Sequence, residues 1–370
     1  MTKRRRTGAD RIAELRNLAD LTSQAAMTTA SGFQQITLKA SDEIDKMADR
    51  MERKAKAVEH EPAVLVLPDT ATNQELATAR VRQAAKRGQD VYLPSWSSVA
   101  RVLPNAFLRT AVFSTSSSIQ KLNDQVLAGD RSLILANEEI ATLKNMRFLF
   151  TGYRLCQFDR QVYATCLEYY RERPLAPMDC TRHVRTSYHE FASRMGGNHN
   201  AKTYVAIRVS LLRLSYAQIR IRSERLDIEV PKLLSVHFDD GSASGEVKGA
   251  DQLMLRVTES VAELFGVGDW TGIDQKVVGY DGLRGWLASF YASHIKSQWL
   301  PVDTLYRLSG YESKPSNFRD SLVKSLDKLK EPGTPDCSRV ERYSFGTYLD
   351  KDTGKERERV IVYLERWPQH

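Results

Sequence analysis

The sequence predicts an α+β protein: two tandem winged-helix domains preceded by a loosely ordered helical N-terminal region. Three observations carry this. A pattern of helix, short strand, helix, tight turn, helix and strand pair occurs twice after residue 160. Residues 1–90 hold a single aromatic, Phe33, whereas aromatics are frequent from Tyr92 onward. Lys and Arg number 54 against 46 Asp and Glu, a net charge of +8, which leans towards a polyanionic partner.

The 370 residues, 42% of them hydrophobic, suffice for the cores of two or three domains. No apolar run approaches the roughly 18–20 residues of a membrane span, so no membrane role is expected. The basic start through Lys3, Arg4, Arg5 and Arg6 has no apolar stretch behind it and is not a secretory signal. Cys156, Cys166, Cys180 and Cys337 form no Cys-x-x-Cys pair, so reduced cytosolic thiols are the expectation. The chain contains no phosphate-binding loop, no His-Glu-x-x-His and no Gly-x-Ser-x-Gly. Gly266-Val267-Gly268 does not continue as a dinucleotide fingerprint, and Asp239-Asp240 runs straight into Gly241, as a turn would. His183 and His189 are too far apart in sequence to share a helical face. Catalytic residues, bound metal and cofactors are therefore all expected to be none, and the protein is expected not to be an enzyme.

The chain divides into an N-terminal region at 1–91, a first winged-helix domain at 92–265 with a lead-in segment at 92–150, and a second at 266–370. Leu15, Leu18 and Leu21 line one N-terminal helix, and Ile44, Met47 and Met51 a second, each too narrow to bury much surface alone. Val64-Leu65-Val66-Leu67-Pro68 is a short apolar docking strand or linker. In the lead-in segment, 133–135 and 148–150 read as strands.

The first copy opens with a helix at 161–173 that Pro174 ends, then a strand at 178–182. A helix at 188–195 stops at Gly196-Gly197, and Asn198 or Asn200 caps the next. That helix, 201–216, buries Tyr204, Ile207, Leu211 and Leu214 at helical spacing. Strictly alternating strands at 218–222 and 226–230 complete the copy, ahead of a Gly- and Ser-rich loop at 239–250 and a strand at 252–257.

The second copy has a helix at 283–295, a strand at 299–302, a helix to 308 capped by Asp303, a turn at 309–311 and a long helix at 316–330. Strands at 339–348 and 357–366 follow, joined by a polar tip at 350–355.

In a winged helix the second helix of the steeply crossed pair enters the DNA major groove, where Arg, Lys and Asn match base edges. The candidate contacts of the second domain are Lys314, Ser316, Asn317, Arg319, Lys324 and Lys328. The first domain offers Asn198, Asn200, Lys202, Thr203 and Arg208, with His199 beside them. Arg213 and Arg225 flank Arg220 and Arg222, whose alternation puts them on an exposed strand face suited to phosphates. Lys351 and Lys355 occupy the tip of a candidate wing, with Arg357 and Arg359 beyond. Tyr343 and Tyr348 read as packing residues.

Residues 103–114, Leu-Pro-Asn-Ala-Phe-Leu-Arg-Thr-Ala-Val-Phe-Ser, and 150–155, Phe-Thr-Gly-Tyr-Arg-Leu, resemble the TrfA-type plasmid replication initiators. The likeness continues through Tyr163, Leu167-Glu168-Tyr169, Tyr188, Tyr204, Leu211 and Leu214, and spans about 96–330. The resemblance implies a theta-mode initiator that binds direct repeats (iterons) at a plasmid origin and promotes opening of an adjacent A·T-rich segment. It further implies partnership with the host replication initiator, the replicative helicase and a sliding clamp. A homodimer in equilibrium with the active monomer would control copy number. The second domain would read bases most directly. Two departures stand out: a longer 239–248 loop, and only a poor clamp-binding peptide, Gln89-Asp90-Val91-Tyr92-Leu93.

The alternatives are a winged-helix transcriptional repressor, a primase or nicking enzyme, and an adaptor that works through its N-terminal helices. The last is separable by deletion of residues 1–90. Duplex binding measured by gel shift is expected to survive; its loss would favour the adaptor.

Overall fold

The computed structural model describes residues 13–14, 16–18, 20–21 and 91–370, without 143–145, 177–182, 224–225, 240–245, 267–268, 351–353 and 367–370. The chain splits into two units, Met1–Asp69 and Thr70–His370. In the first, the described residues are helical and exposed, Leu18 and Leu21 among them. The expected helix at 44–51 and the apolar island at 64–68 lie outside the described residues.

In the second unit Leu93 is buried and the Val91 carbonyl accepts the Leu175 N–H at 2.8 Å. The stretch weighed as a clamp-binding peptide is thus folded against the core at its C-terminal end. Strands β1 (Ala100–Pro104) and β2 (Phe113–Ser114) follow, separated by a short helix, Asn105–Leu108. Another short helix, Asn123–Leu127, leads to β3 (Ile134–Ile140), β4 (Met146–Tyr153) and β5 (Leu155–Cys156). Helix α1 spans Gln157–Glu168, beginning and ending earlier than its apolar spacing predicts. Its start is set by Asp159, whose carboxylate accepts the Cys156 N–H at 2.8 Å and so caps the helix.

The predicted strand at 178–182 lies outside the described residues; the strand observed is β6 (Val184–Ser187). Helices α2 (Tyr188–Met195) and α3 (Ala201–Ser215) come next. Between them Gly196 adopts φ +76°, a left-handed end that favours glycine. Strands β7 (Gln218–Ser223), β8 (Leu226–Val230), β9 (Ser235–Asp239), β10 (Gln252–Arg256) and β11 (Trp270–Asp274) follow. After a short helix, Gln275–Val278, come α4 (Gly282–Ala292), β12 (Leu300–Pro301), α5 (Val302–Ser309) and α6 (Pro315–Lys330). The chain closes on β13 (Val340–Leu349) and β14 (Glu356–Leu364). Asp303 does not cap α5, which starts after Pro301; its carboxylate instead meets Arg357.

Two three-stranded antiparallel sheets share one order: β6–β10–β9 and β12–β14–β13. In each, the strand before the helix pair joins the last strand of the hairpin after it. The predicted strand pair at 218–230 is not the first copy's hairpin. β7 and β8 instead complete a four-stranded sheet, β3–β4–β7–β8. The reason is complementarity: Ile221 sits opposite Phe148 and Ile219 opposite Phe150, so β7 covers the apolar face of β4. Alternation identified both strands without saying which sheet takes them.

One core runs through the second unit, from Phe107, Phe113, Phe148 and Tyr163 to Trp286, Phe290, Phe318 and Leu322. Two arginines are among its largest fully buried side chains. Arg213 donates from Nη2 to Asp159 at 2.7 Å and from Nη1 to Asn123 at 2.7 Å, with both ion-pair partners almost fully buried. Burial opposes the charge of Arg213, and Asp159 more than restores it. Arg213 is therefore a core residue and not part of an exposed cationic cluster.

The second is Arg160 of α1. Its Nη1 donates to the Gly285 carbonyl at 2.8 Å and to Ser289 Oγ, and its Nη2 to the carbonyls of Val278 and Tyr280, each at 3.1 Å. Burial pushes this guanidinium down to about 9, and Asp281 partly opposes that. Gly285 is required here: a Cβ would lie 2.0 Å from the Tyr280 carbonyl oxygen and 3.2 Å from Arg160 Nη2. Nearby, β1 pairs with β11, and Arg101 of β1 donates to the Arg194 carbonyl at 2.9 Å and to Gln275 Oε1 at 2.8 Å. The lead-in segment also meets the later part of the chain: the Thr115 N–H reaches the Ser309 carbonyl and Ser114 Oγ the Gly310 carbonyl.

Removing one member of a buried ion pair strands the other in a dry interior, at a cost of roughly 3–5 kcal/mol. Asp159→Ala is expected to lower stability by an amount of that order in chemical denaturation. The double variant Asp159→Ala/Arg213→Met is expected to recover a large part of it; no recovery would contradict the pairing.

Candidate nucleic-acid interface

The long helix α6 presents two unlike faces. Phe318, Leu322, Leu326 and Leu329 are buried against the core. Lys314, Ser316, Asn317, Arg319, Lys324 and Lys328 are all exposed. Pro315 opens the helix, no side chain caps it, and its first turn holds no acidic residue. The helix start is therefore positive and suited to an anion. Asp320 is exposed too and offsets part of the lysine charge, and Asp327 accepts the Tyr343 hydroxyl at 2.8 Å.

Arg319 has a partner already. Its Nε donates to Glu358 of β14 at 2.8 Å, and its guanidinium lies 4.5 Å from the Phe345 ring centroid on β13. The hydrogen bond and charge of Glu358 raise Arg319 above its ordinary value. To reach a base it must leave Glu358. Lys314, Lys324 and Lys328 are the lysines of this face.

In α3 the first-domain candidates spread along one end. Asn198, Asn200 and Lys202 are exposed and Thr203 is half-buried. Asn200 caps the helix as predicted: its Oδ1 accepts the Thr203 N–H at 2.9 Å and the Thr203 hydroxyl at 3.1 Å. Those groups are engaged with each other, which leaves the Asn200 amide nitrogen as the donor side. Arg208 stacks on Phe238 of β9, 4.6 Å from the ring centroid. Each long helix thus rests an arginine on a phenylalanine in the first strand of its following hairpin: Arg208 on Phe238 of β9, Arg319 on Phe345 of β13. His199, in the turn before α3, lies 4.6 Å from the His189 ring, and His189 Nδ1 is 3.5 Å from the Tyr204 hydroxyl. Among the described residues no group of three His, Cys, Asp or Glu side chains is placed to hold a metal ion.

Arg220 and Arg222 stand apart from this set. Both lie on β7 of the four-stranded sheet, away from the β9–β10 hairpin. Arg220 meets Asp227 at 3.3 Å and Glu229 at 3.8 Å, and Arg222 meets Asp227 at 3.5 Å. On the same face Arg147 of β4 pairs with Glu139 of β3 at 3.0 Å. That face is charge-matched, which weakens it as a phosphate-binding surface.

At the β13–β14 tip Lys355 is exposed, and Lys351 and Arg225 lie outside the described residues. Arg357 joins Asp350 at 2.7 Å and also meets Asp303, which ties the turn end of the hairpin to α5. Arg359 lies 4.6 Å from the Trp299 ring. Tyr348 is half-buried beside it and Tyr343 packs on Phe345. Sequence reasoning missed Lys248, which is exposed; its neighbour Gly249 accepts the His189 N–H at the start of α2 at 2.9 Å and lies against the Tyr204 ring in the first turn of α3. The alternating pattern of 235–239 against 252–256 was the signal for that hairpin.

Among the described residues no helix is long and apolar enough to cross a membrane. No protein-family profile matches the chain, and no curated protein does. Two solved structures of domains 2 and 3 of RctB, one of them of selenomethionine derivatives, are similar to it at 12% identity. Their TM-scores are 0.38 and 0.37, over 63% and 62% of this chain and 90% of each of theirs.

The charge arrangement on α6 separates two variants. Lys324→Ala is expected to weaken duplex binding roughly threefold to tenfold and to reduce its salt dependence by about one ion. Glu358→Gln, which releases Arg319, is expected to tighten it; a weakening in fluorescence anisotropy would show that the Arg319–Glu358 pair itself is needed.

Proposed function

We propose that this protein is a plasmid replication initiator that binds duplex DNA through two tandem winged-helix modules. The observation that carries the reading is the repeated arrangement: a helix pair ending in a left-handed glycine, a long helix with an exposed polar face, and a sheet of first–third–second order. In a module of this kind the long helix enters the major groove and the hairpin flanks it. Lys314, Ser316, Asn317, Lys324 and Lys328 then face one stretch of duplex, with Arg319 able to join them once released from Glu358. Asn198, Asn200, Lys202 and Lys248 face another, and Lys355 sits at the wing. Lysines supply affinity through phosphates, and a few base contacts of about 1–3 kcal/mol each select the sequence.

The origin-specific part of the reading comes from the resemblance to TrfA-type initiators. Direct repeats would be bound side by side. Bending of the DNA, on the order of 1–6 kcal/mol per site, would help open the neighbouring A·T-rich segment. Helicase recruitment and restraint by a dimer belong to the same proposal. The chemistry is non-covalent throughout.

DNase footprinting on the DNA flanking the coding region tests this. Protection of several tandem repeats beside an A·T-rich tract is expected. Protection of one promoter-proximal operator would favour the repressor, and primer synthesis or strand breaks with divalent metal and nucleotides would favour an enzyme.

A further inference from the structure

Resting on that reading, we propose that Arg160 is a positioning residue for DNA recognition. It fixes α3 relative to α6, so the protein reads one composite site of set spacing and rejects the same two halves moved apart by a single base pair.

Arg160 belongs to α1, the first helix of the first module. Its four hydrogen-bond acceptors, on Val278, Tyr280, Gly285 and Ser289, belong to the end of the short helix Gln275–Val278, the turn after it and α4. Among the described residues no carboxylate pairs with it, so it is held by neutral oxygens alone. Three of these are backbone carbonyls, which cannot move without the chain that carries them. A carboxylate on a flexible side chain could follow a sliding guanidinium; these acceptors cannot. Any displacement of one module against the other leaves a buried cation short of partners.

A second tie lies near the α2–α3 turn. Arg101 donates to the Arg194 carbonyl and to Gln275 Oε1, while Gln275 Nε2 returns to the same Arg194 carbonyl at 2.9 Å. Gln275 also lies against the turn glycine: a Cβ on Gly196 would be 2.9 Å from its Nε2. The end of α2 is thereby pinned to the residues that lead into α4. The α6 helix packs on α4 and the α3 helix on α1, so both long helices inherit this fixed relation. One inserted base pair shifts the second half-site by about 3.4 Å and rotates it by roughly 34°. Neither long helix can follow while the two ties hold.

The test uses the full chain and duplexes selected by it from a random pool, each then remade with one base pair inserted between the halves. The wild type is expected to lose about tenfold or more in affinity on insertion, and Arg160→Met less than about threefold. Arg160→Lys, which keeps the charge without the fork, should fall between. Gln275→Ala, a change outside the core, should relax the spacing in the same direction. Spin labels at exposed Ser193 and Thr347, in a Cys180→Ser/Cys337→Ser background, report the relation without DNA. The wild type should give one narrow distance and Arg160→Met a broad one.

A merely structural role would lower affinity for both duplexes equally and leave the insertion penalty unchanged, which overturns the proposal. Equal binding of both duplexes by the wild type does so too, as does an unchanged label distance in Arg160→Met. If the wild type selects no duplex at all, the DNA-binding reading fails instead, and the label distances alone decide the role of Arg160.

Discussion

A guanidinium out of water, with no carboxylate in ion-pair contact among the described residues, stays where the surrounding carbonyls put it. Arg160 is in that position, and the structure of the second unit depends on it. The fork of one side chain ties α1 to the turn before α4 and to α4 itself. Gly285 opens the space, because a side chain there would collide with the Tyr280 carbonyl. Around this point the lead-in segment acts as a spine: β1 pairs with β11, and the Trp286 ring N–H reaches the Thr110 carbonyl at 3.3 Å. The Asp159–Arg213 pair next to Arg160 contrasts with it. Two buried charges that neutralise each other hold α1 to α3 within one module, whereas Arg160 relies on dipoles across two.

The two modules share a plan and differ in what they add. The second runs directly from α6 into β13. The first inserts β7 and β8 between its long helix and its hairpin and hands both strands to β3 and β4. The extra sheet turns Phe148, Phe150, Ile219 and Ile221 inward, and its outer face carries Arg147, Arg220 and Arg222 matched by Glu139, Asp227 and Glu229. A matched face has little reason to attract a polyanion. Among the described residues exposed lysines stand along α6, at the start of α3 and beside the β13–β14 turn.

Much of this was legible in the residues. The apolar stripes of α3 and α6 named their buried faces correctly, and Gly196, Asn200 and Gly310 marked turns and a cap by ordinary local chemistry. Local pattern could not choose between sheets, since β7 and β9 both alternate. Nor could it see charge cancellation across a sheet or between helix and hairpin: the partners of Arg220 and Arg319 are identifiable only once strands are paired. Arg160 and Arg213 were invisible as core residues for the same reason. Burial of an arginine is decided by acceptors far along the chain, 118 to 129 residues away for Arg160. The likeness in the lead-in segment pointed to a function that no periodicity could supply.

The pairing of β1 with β11 joins stretches roughly 170 residues apart, and a ribosome adds about 5–20 residues each second. The lead-in strand therefore emerges some tens of seconds at most before its partner exists. During that interval Val102 and Leu103, buried in the finished protein, have no β11 to lie against. The first module can complete α1 to α3 and its own sheets meanwhile, but the spine stays open until translation passes residue 274. Co-translational assembly thus ends with closure of an early strand onto a late one, and a chain released before that residue keeps an unpaired edge available to chaperones and to other nascent chains.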